Sequence, residues 1–194
     1  MAVEFVPSSI VDPINFFEIF NRDAPVEIDL GCGDGTFLAA RAATNPERNF
    51  LGIERLIGRV RAGCRKTTRL HLENVRILRM ESSYAIAHLM RAESVSAVHL
   101  LFPDPWPKRR HQRRRLFTTE FTGAVHRALE IGGLFHVATD HAPYFQMIQK
   151  MIPIDLFSAV EDPLQFPLSR FEQNFTERQM PIYRLLLRKI SPVR

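Results

Sequence analysis

The feature that most constrains this chain is a turn of three glycines, Gly31-Cys32-Gly33-Asp34-Gly35, wedged between a strand-like run and a helical one. Val26–Leu30 reads as a short strand, and Phe37–Thr44 as a helix that stops near Asn45-Pro46. Glycine lets the backbone turn sharply between them and lets a ligand approach the main chain closely. The same strand–loop–helix alternation then repeats. Phe50–Glu54, Val75–Met80, Val95–Phe102 and Leu134–Ala138 read as strands. Leu56–Leu70, Ser83–Met90, Phe117–Leu129 (stopped by Gly132-Gly133) and Pro143–Met151 read as helices. Asp12-Pro13 reads as a cap opening a short helix through Phe20, and Ile182–Arg188 as a last strand.

Such alternation predicts an α/β fold with a mainly parallel twisted sheet, helices on both faces and right-handed crossovers. The 194 residues suffice for one domain with a real core. In these sheets ligands bind beyond the carboxyl ends of the strands. The loops there carry or adjoin Asp34, Glu54, Glu81, Asp104 and Asp140, so acids are expected to converge on one rim.

The spacing of the turn is G-x-G-x-G, whereas a dinucleotide site shows G-x-G-x-x-G with a pyrophosphate on the helix N-terminus. Acids within and before the turn repel a pyrophosphate and suit a ligand with a cationic head, such as a sulfonium bearing an ammonium group. Glu54, closing the second strand, is placed to accept hydrogen bonds from two ribose hydroxyls. Glu81, after the third, is placed to meet an adenine amino group. Close strand–helix packing alone would explain the glycines but not the acids.

A second segment is Phe102-Pro103-Asp104-Pro105-Trp106-Pro107-Lys108, followed by Arg109-Arg110-His111-Gln112-Arg113-Arg114-Arg115. Proline fixes φ and removes donors, so Asp104 and Trp106 sit on a stiff loop. Lys108–Arg115 carries six formal positive charges and no acid; the chain's net charge is +5, so the remainder is slightly acidic. Basicity that local points to a docking patch for a polyanion. Cys32 and Cys64 make neither a disulfide framework nor a zinc site, and the seven histidines lack metal-ligand spacing. No signal peptide or membrane-spanning run is expected, so the reading is a cytoplasmic protein without metal or membrane.

The glycine turn with Glu54 resembles the class I S-adenosylmethionine-dependent methyltransferases, whose Rossmann-like fold ends in an antiparallel last strand. The proline-flanked Asp104 and Trp106 with the arginines behind them, Ala138-Thr139-Asp140, Arg170-Phe171-Glu172 and Pro181-Ile182-Tyr183 closely resemble the bacterial tRNA (guanine-N7-)-methyltransferase family. The resemblance runs from about Glu27 to Arg188. It implies that Glu27, Glu54, Glu81 and Asp104, with Gly31, Gly33 and Gly35, contact S-adenosylmethionine. It implies that Lys108, Asp140, Ser169, Arg170, Phe171 and Glu172 contact the substrate, and that Arg110, His111, Gln112, Arg113, Arg114 and Arg115 contact tRNA. It further implies methylation of guanine 46 in the variable loop. The expected partner is tRNA, and the expected assembly is a monomer or a homodimer. Ser169 stands where the family usually has Thr, Glu81 where Asp is common, and His141 where Trp often follows the Asp.

Guanine N7 has a lone pair and no proton, so methylation there requires alignment and charge stabilisation rather than a general base. Asp104 and Asp140 are the candidates for catalysis, and either one can accept from guanine N1–H and the exocyclic amine. Asp140 also reads as a helix cap. Trp106 reads either as a shield for the loop or as a stacking platform. A methyltransferase of proteins or small molecules would leave the basic run unexplained; an RNA-binding protein without catalysis would leave the acids unexplained.

Overall fold

A computed structural model describes residues 2–160 and 166–190, with the backbone alone at 109 and 112. Eight strands form one sheet: β1 (Glu4–Phe5), β2 (Val26–Leu30), β3 (Asn49–Glu54), β4 (Val75–Arg79), β5 (Val95–Leu101), β6 (Leu129–Thr139), β7 (Phe157–Ala159) and β8 (Tyr183–Lys189). Their order is β1-β4-β3-β2-β5-β6-β8-β7. Pairs from β1 to β6 are parallel, and β8 runs antiparallel between β6 and β7. The order reverses beside β2, so the gap between β2 and β5 is the switch point.

Among the described residues seven α-helices connect the strands: α1 (Phe16–Phe20), α2 (Thr36–Thr44), α3 (Ile57–Arg69), α4 (Ser82–Tyr84), α5 (Thr119–Ala128), α6 (Ala142–Met151) and α7 (Arg170–Glu177). A π-helical turn (Ala85–Leu89) continues α4, and a 3-10 helix (Arg109–Arg114) follows β5. Alternation along each strand sorts side chains between two cores. Ile28, Leu30, Leu51, Ile53, Val98, Leu100, Phe135 and Val137 pack with Phe121 and Val125 of α5 and Ile148 of α6. Phe50, Val75 and Ile77 pack with Leu38 of α2 and Val60 of α3 on the opposite face. Gly35 permits the approach of α2 to α3, since a Cβ there would lie 3.2 Å from Gly63 Cα.

The structure corrects several local expectations. The first helix is capped by Asn15 and starts at Phe16, four residues after Asp12. The cap of α6 is His141, whose Nδ1 accepts from Tyr144 N at 3.1 Å, and not Asp140. Strand β6 begins at Leu129 and runs through Gly132-Gly133, with Gly132 at φ 84° and a register shift opposite Val95–Ala97. Strands β1 and β7 and helix α7 are additions to the predicted elements.

Candidate active site

The carboxyl ends of β2, β3, β4 and β5 surround a cleft of about 1040 Å³. Gly31, Glu54, Arg55, Glu81 and Tyr84 line it on one side, and Phe102–Asp104, Trp106 and Arg113–Arg115 on the other. The rim rule thus places four predicted residues around one space: Gly31, Glu54, Glu81 and Asp104.

The glycine turn is built by backbone conformation. Gly31, Gly33 and Gly35 have φ of 75°, 57° and 71°, where a side chain is strained. A Cβ at Gly31 would meet no protein atom within 4 Å, so the turn leaves room at its open edge. Glu54 Oε2 accepts from Gly33 N at 3.2 Å and Oε1 from Leu56 N at 2.8 Å. One acid therefore fixes both the turn and the start of α3, and it retains lone pairs for a ligand. Glu81 caps α4, accepting from Tyr84 N at 2.9 Å. Burial works to raise its carboxyl, but hydrogen bonds from Ser83 and Tyr84 hold it below the ordinary value.

Glu27 is a correction. It lies three residues before the end of β2, and it does not line the cleft. Its carboxylate takes both Arg41 nitrogens at 3.0 Å, Arg48 at 3.2 Å and His99 at 3.0 Å. Burial alone would raise this acid; His99 and Arg41 overcome it and hold it at about 2. Arg48 sits just before β3, so this network reaches toward the amino ends of the strands and works as a structural brace.

The acid that sequence reasoning missed is Asp29, on the same face of β2 and one residue from its end. It is 2% exposed and has no hydrogen-bond partner among the described residues. Burial, then the charge of Glu54, pushes its carboxyl up to about 8. Period-2 alternation was the available signal: Glu27 and Asp29 share a face, and Asp29 is nearer the turn.

The proline-rich loop is tied down from behind. Phe102 and Trp106 hold φ of 53° and 41°, a region non-glycine residues seldom occupy. Arg115 donates to Pro105 O at 2.7 Å and lies over the Tyr144 ring at 4.9 Å. Arg115 is half-buried: it holds the loop from behind and also lines the cleft. Trp106 is pinned by Arg114 over its ring at 5.2 Å and by His111 edge-on at 5.7 Å. Asp104, Lys108, Arg110, Arg113 and Arg114 are exposed. The side chain of Gln112 lies outside the described residues.

Asp140 follows β6 at the same rim, where Phe102 N donates to Ala138 O at 2.8 Å. Asp140 does not line the cleft itself. Ser169 and Glu172 are buried and form a reciprocal capping box: Ser169 Oγ accepts from Glu172 N at 3.2 Å, and Glu172 Oε2 from Ser169 N at 2.8 Å. Arg184 of β8 holds the other Glu172 oxygen at 3.0 Å. These two residues build α7, and its outward groups are Arg170 and Phe171. Arg170 reaches Asp34 of the glycine turn at 3.1 Å, and Phe171 lies 6.0 Å from Phe102. The predicted substrate segment thus abuts both the glycine turn and the proline-rich loop.

Residues 23–185 match a family described as "Putative methyltransferase". The tRNA (guanine-N(7)-)-methyltransferase of Pectobacterium atrosepticum is 33% identical over 188 residues, covering 93% of this chain and 79% of the relative. The chain belongs to the tRNA (guanine-N(7)-)-methyltransferase family. This chain shares its fold with distant solved methyltransferase structures. The 16S rRNA methyltransferase KamB aligns with TM-score 0.66 at 16% identity, over 91% of this chain and 93% of that one. The Streptococcus mutans protein SMU.1697c in complex with SAH aligns with TM-score 0.55 at 12% identity, over 89% and 93%. The Rossmann-like class I methyltransferase architecture expected of the chain is therefore present, including its antiparallel last strand.

Proposed function

We propose that this enzyme transfers a methyl group from S-adenosylmethionine to N7 of a guanine in tRNA, at position 46 of the variable loop by its resemblance to the family. The observation that carries the reading is the cleft itself. Buried Glu54 and exposed Glu81 line its glycine-turn side together with Arg55 and Arg59, and Arg113–Arg115 stand on its opposite wall.

The residues present fit the donor. Its cationic head matches the Asp29–Glu54 pair, in which Glu54 lines the cleft and Asp29 is buried just behind the lining, its carboxyl without a side-chain hydrogen bond among the described residues. The open edge of Gly31 admits a ligand against the main chain. Gly33, Glu54 and Glu81 complete the set that would hold it. When bound, the donor supplies an electrophilic methyl on sulfur.

The chain's own residues then orient the base. Asp104 is held at the cleft by a loop braced through Arg115 and Pro105. Asp104 or Asp140 accepts from guanine N1–H and the exocyclic amine; adenine lacks both donors and would leave the acid unpaired. The same carboxylates offset the positive charge that passes to the purine. No proton leaves N7, so no residue acts as a base. Lys108, Arg110, Arg113 and Arg114 engage phosphates and set position, with discrimination left to the pocket and to tRNA shape.

The test is incubation with unmodified tRNA and labelled donor, followed by mapping of the labelled nucleotide. Label at one variable-loop guanine, lost when N7 of that guanine is replaced by carbon, is expected. Label on adenine, on protein or nowhere overturns the reading.

A further inference from the structure

We propose that Arg61, Arg65 and Arg69, the outward row of α3, form a second tRNA-backbone track separate from the Lys108–Arg115 run. The inference rests on the tRNA reading above. Between Arg55 and Arg69 the chain carries six cations and no acid. The structure divides them by task. Val60, Gly63 and Thr67 face the sheet. Arg59 reaches Glu54 at 3.8 Å and Lys66 reaches Asp34 at 3.2 Å, so these two offset acids of the glycine turn.

Arg61, Arg65 and Arg69 have no such task. They stand at i, i+4 and i+8, in one column on the outer surface. Each is exposed, and none has an ion-pair partner among the described residues. Like charges at this spacing destabilise a helix, and an ordinary solvated helix alternates signs to avoid it. Arg69 gains from the negative end of the helix dipole in the last turn, but nothing in the packing of α3 compensates for Arg61 and Arg65; a polyanion would. At about 1.5 Å of rise per residue the column spans about 12 Å. That length reaches several phosphates of a strand spaced about 3.4 Å along its axis. Arginine also suits phosphate because its planar fork can donate twice to one group.

Position favours the same partner. α3 starts beside the cleft, where Arg55 and Arg59 line it, while Arg113 and Arg114 line the far side. From there α3 runs back over β3 and β4. An RNA with one nucleotide in the cleft would meet guanidinium groups on both flanks. The basicity of the chain is therefore two patches and not the single one that the sequence pattern implies.

The experiment titrates an unmodified tRNA transcript at salt concentrations from about 50 to 200 mM. It compares wild type, R61Q/R65Q/R69Q and R61K/R65K/R69K. In the Gln variant the slope of log K against log salt is expected to become shallower by about 2 to 3. Its KM for tRNA rises, while kcat at saturating tRNA, donor affinity and Tm hold. The Lys variant keeps the wild-type slope. An unchanged slope in the Gln variant overturns the proposal, and so does an equal loss in the Lys variant. Wild-type binding to phosphatidylglycerol vesicles, with an RNA slope insensitive to the Gln changes, overturns it in favour of a membrane surface. A slope that depends on α3, in an enzyme that leaves guanine N7 unmethylated, sustains the track and refutes the proposed function instead.

Discussion

Asp29→Asn separates what the site needs from what the fold prefers. The native carboxyl titrates at about 8, against an ordinary 3.8. Between those values the folded chain keeps a proton that the unfolded chain has released. Stability therefore falls as pH rises through this window, by about 1.36 kcal/mol per pH unit at most. Over the whole interval that is several kcal/mol, a large share of a typical stability of roughly 5–15 kcal/mol. Asparagine has nearly the shape of the protonated acid and never ionises. At pH 5 the variant and the wild type should unfold at similar urea concentrations; at pH 9 the variant should be more stable by about 3 kcal/mol or more. The difference between the two curves isolates this residue from every other titrating group. Function should move in the opposite direction. A cation beside Asp29 favours its ionised form, so donor binding releases a proton and wild-type affinity rises as pH approaches 8. The variant binds the donor more weakly and loses that pH dependence. Urea melts at several pH values and calorimetric donor titrations in buffers of different ionisation heat read both effects. Parallel stability curves from pH 5 to 9 would refute the reasoning, because they would mean that Asp29 is already ionised in the folded chain.

Glu27→Gln should leave donor affinity near wild type and cost about 3 kcal/mol at pH 7. The native acid is held at about 2 against an ordinary 4.5. Its contribution is present above pH 4.5 and is lost as pH falls toward 2; urea unfolding at pH 7 and pH 3 checks this. Arg113→Ala should weaken tRNA binding alone, whereas Arg115→Ala, which frees Pro105 and Tyr144, should lower kcat at saturating tRNA, as steady-state kinetics would show. Ser169→Ala removes one half of the capping box and should cost about 1 kcal/mol, read by thermal melting. Asp140→Ala should abolish transfer while the melting curve stays cooperative.

Much of the sheet could be read from the chain, because buried parallel strands are continuous apolar runs. Val26–Leu30, although interrupted by Glu27 and Asp29, begins and ends at its expected positions. The misses have local causes. Gly132-Gly133 looks like a stop signal, yet strand β6 passes through it, because a glycine at φ 84° absorbs an irregularity in pairing. The eight residues of α7 are few for a periodicity, although Ser169 and Glu172 already stood at capping-box spacing. The family resemblance implies a donor contact for Glu27, but its Arg41 and Arg48 partners lie 14 and 21 positions away. Local pattern does not reveal which acid such cations will claim. The roles of Arg115 and of the α3 column were hidden likewise, since an arginine in a basic run reads the same whether it faces inward or outward.

The clasp between Arg184 and Glu172 has a consequence for biosynthesis. The residues that line the cleft run no further along the chain than Ala124, but the strand that anchors α7 comes later and must slide between β6 and β7. The glycine turn can therefore form while α7 is still unheld, and the segment that carries Arg170 and Phe171 docks only once β8 has paired on both sides.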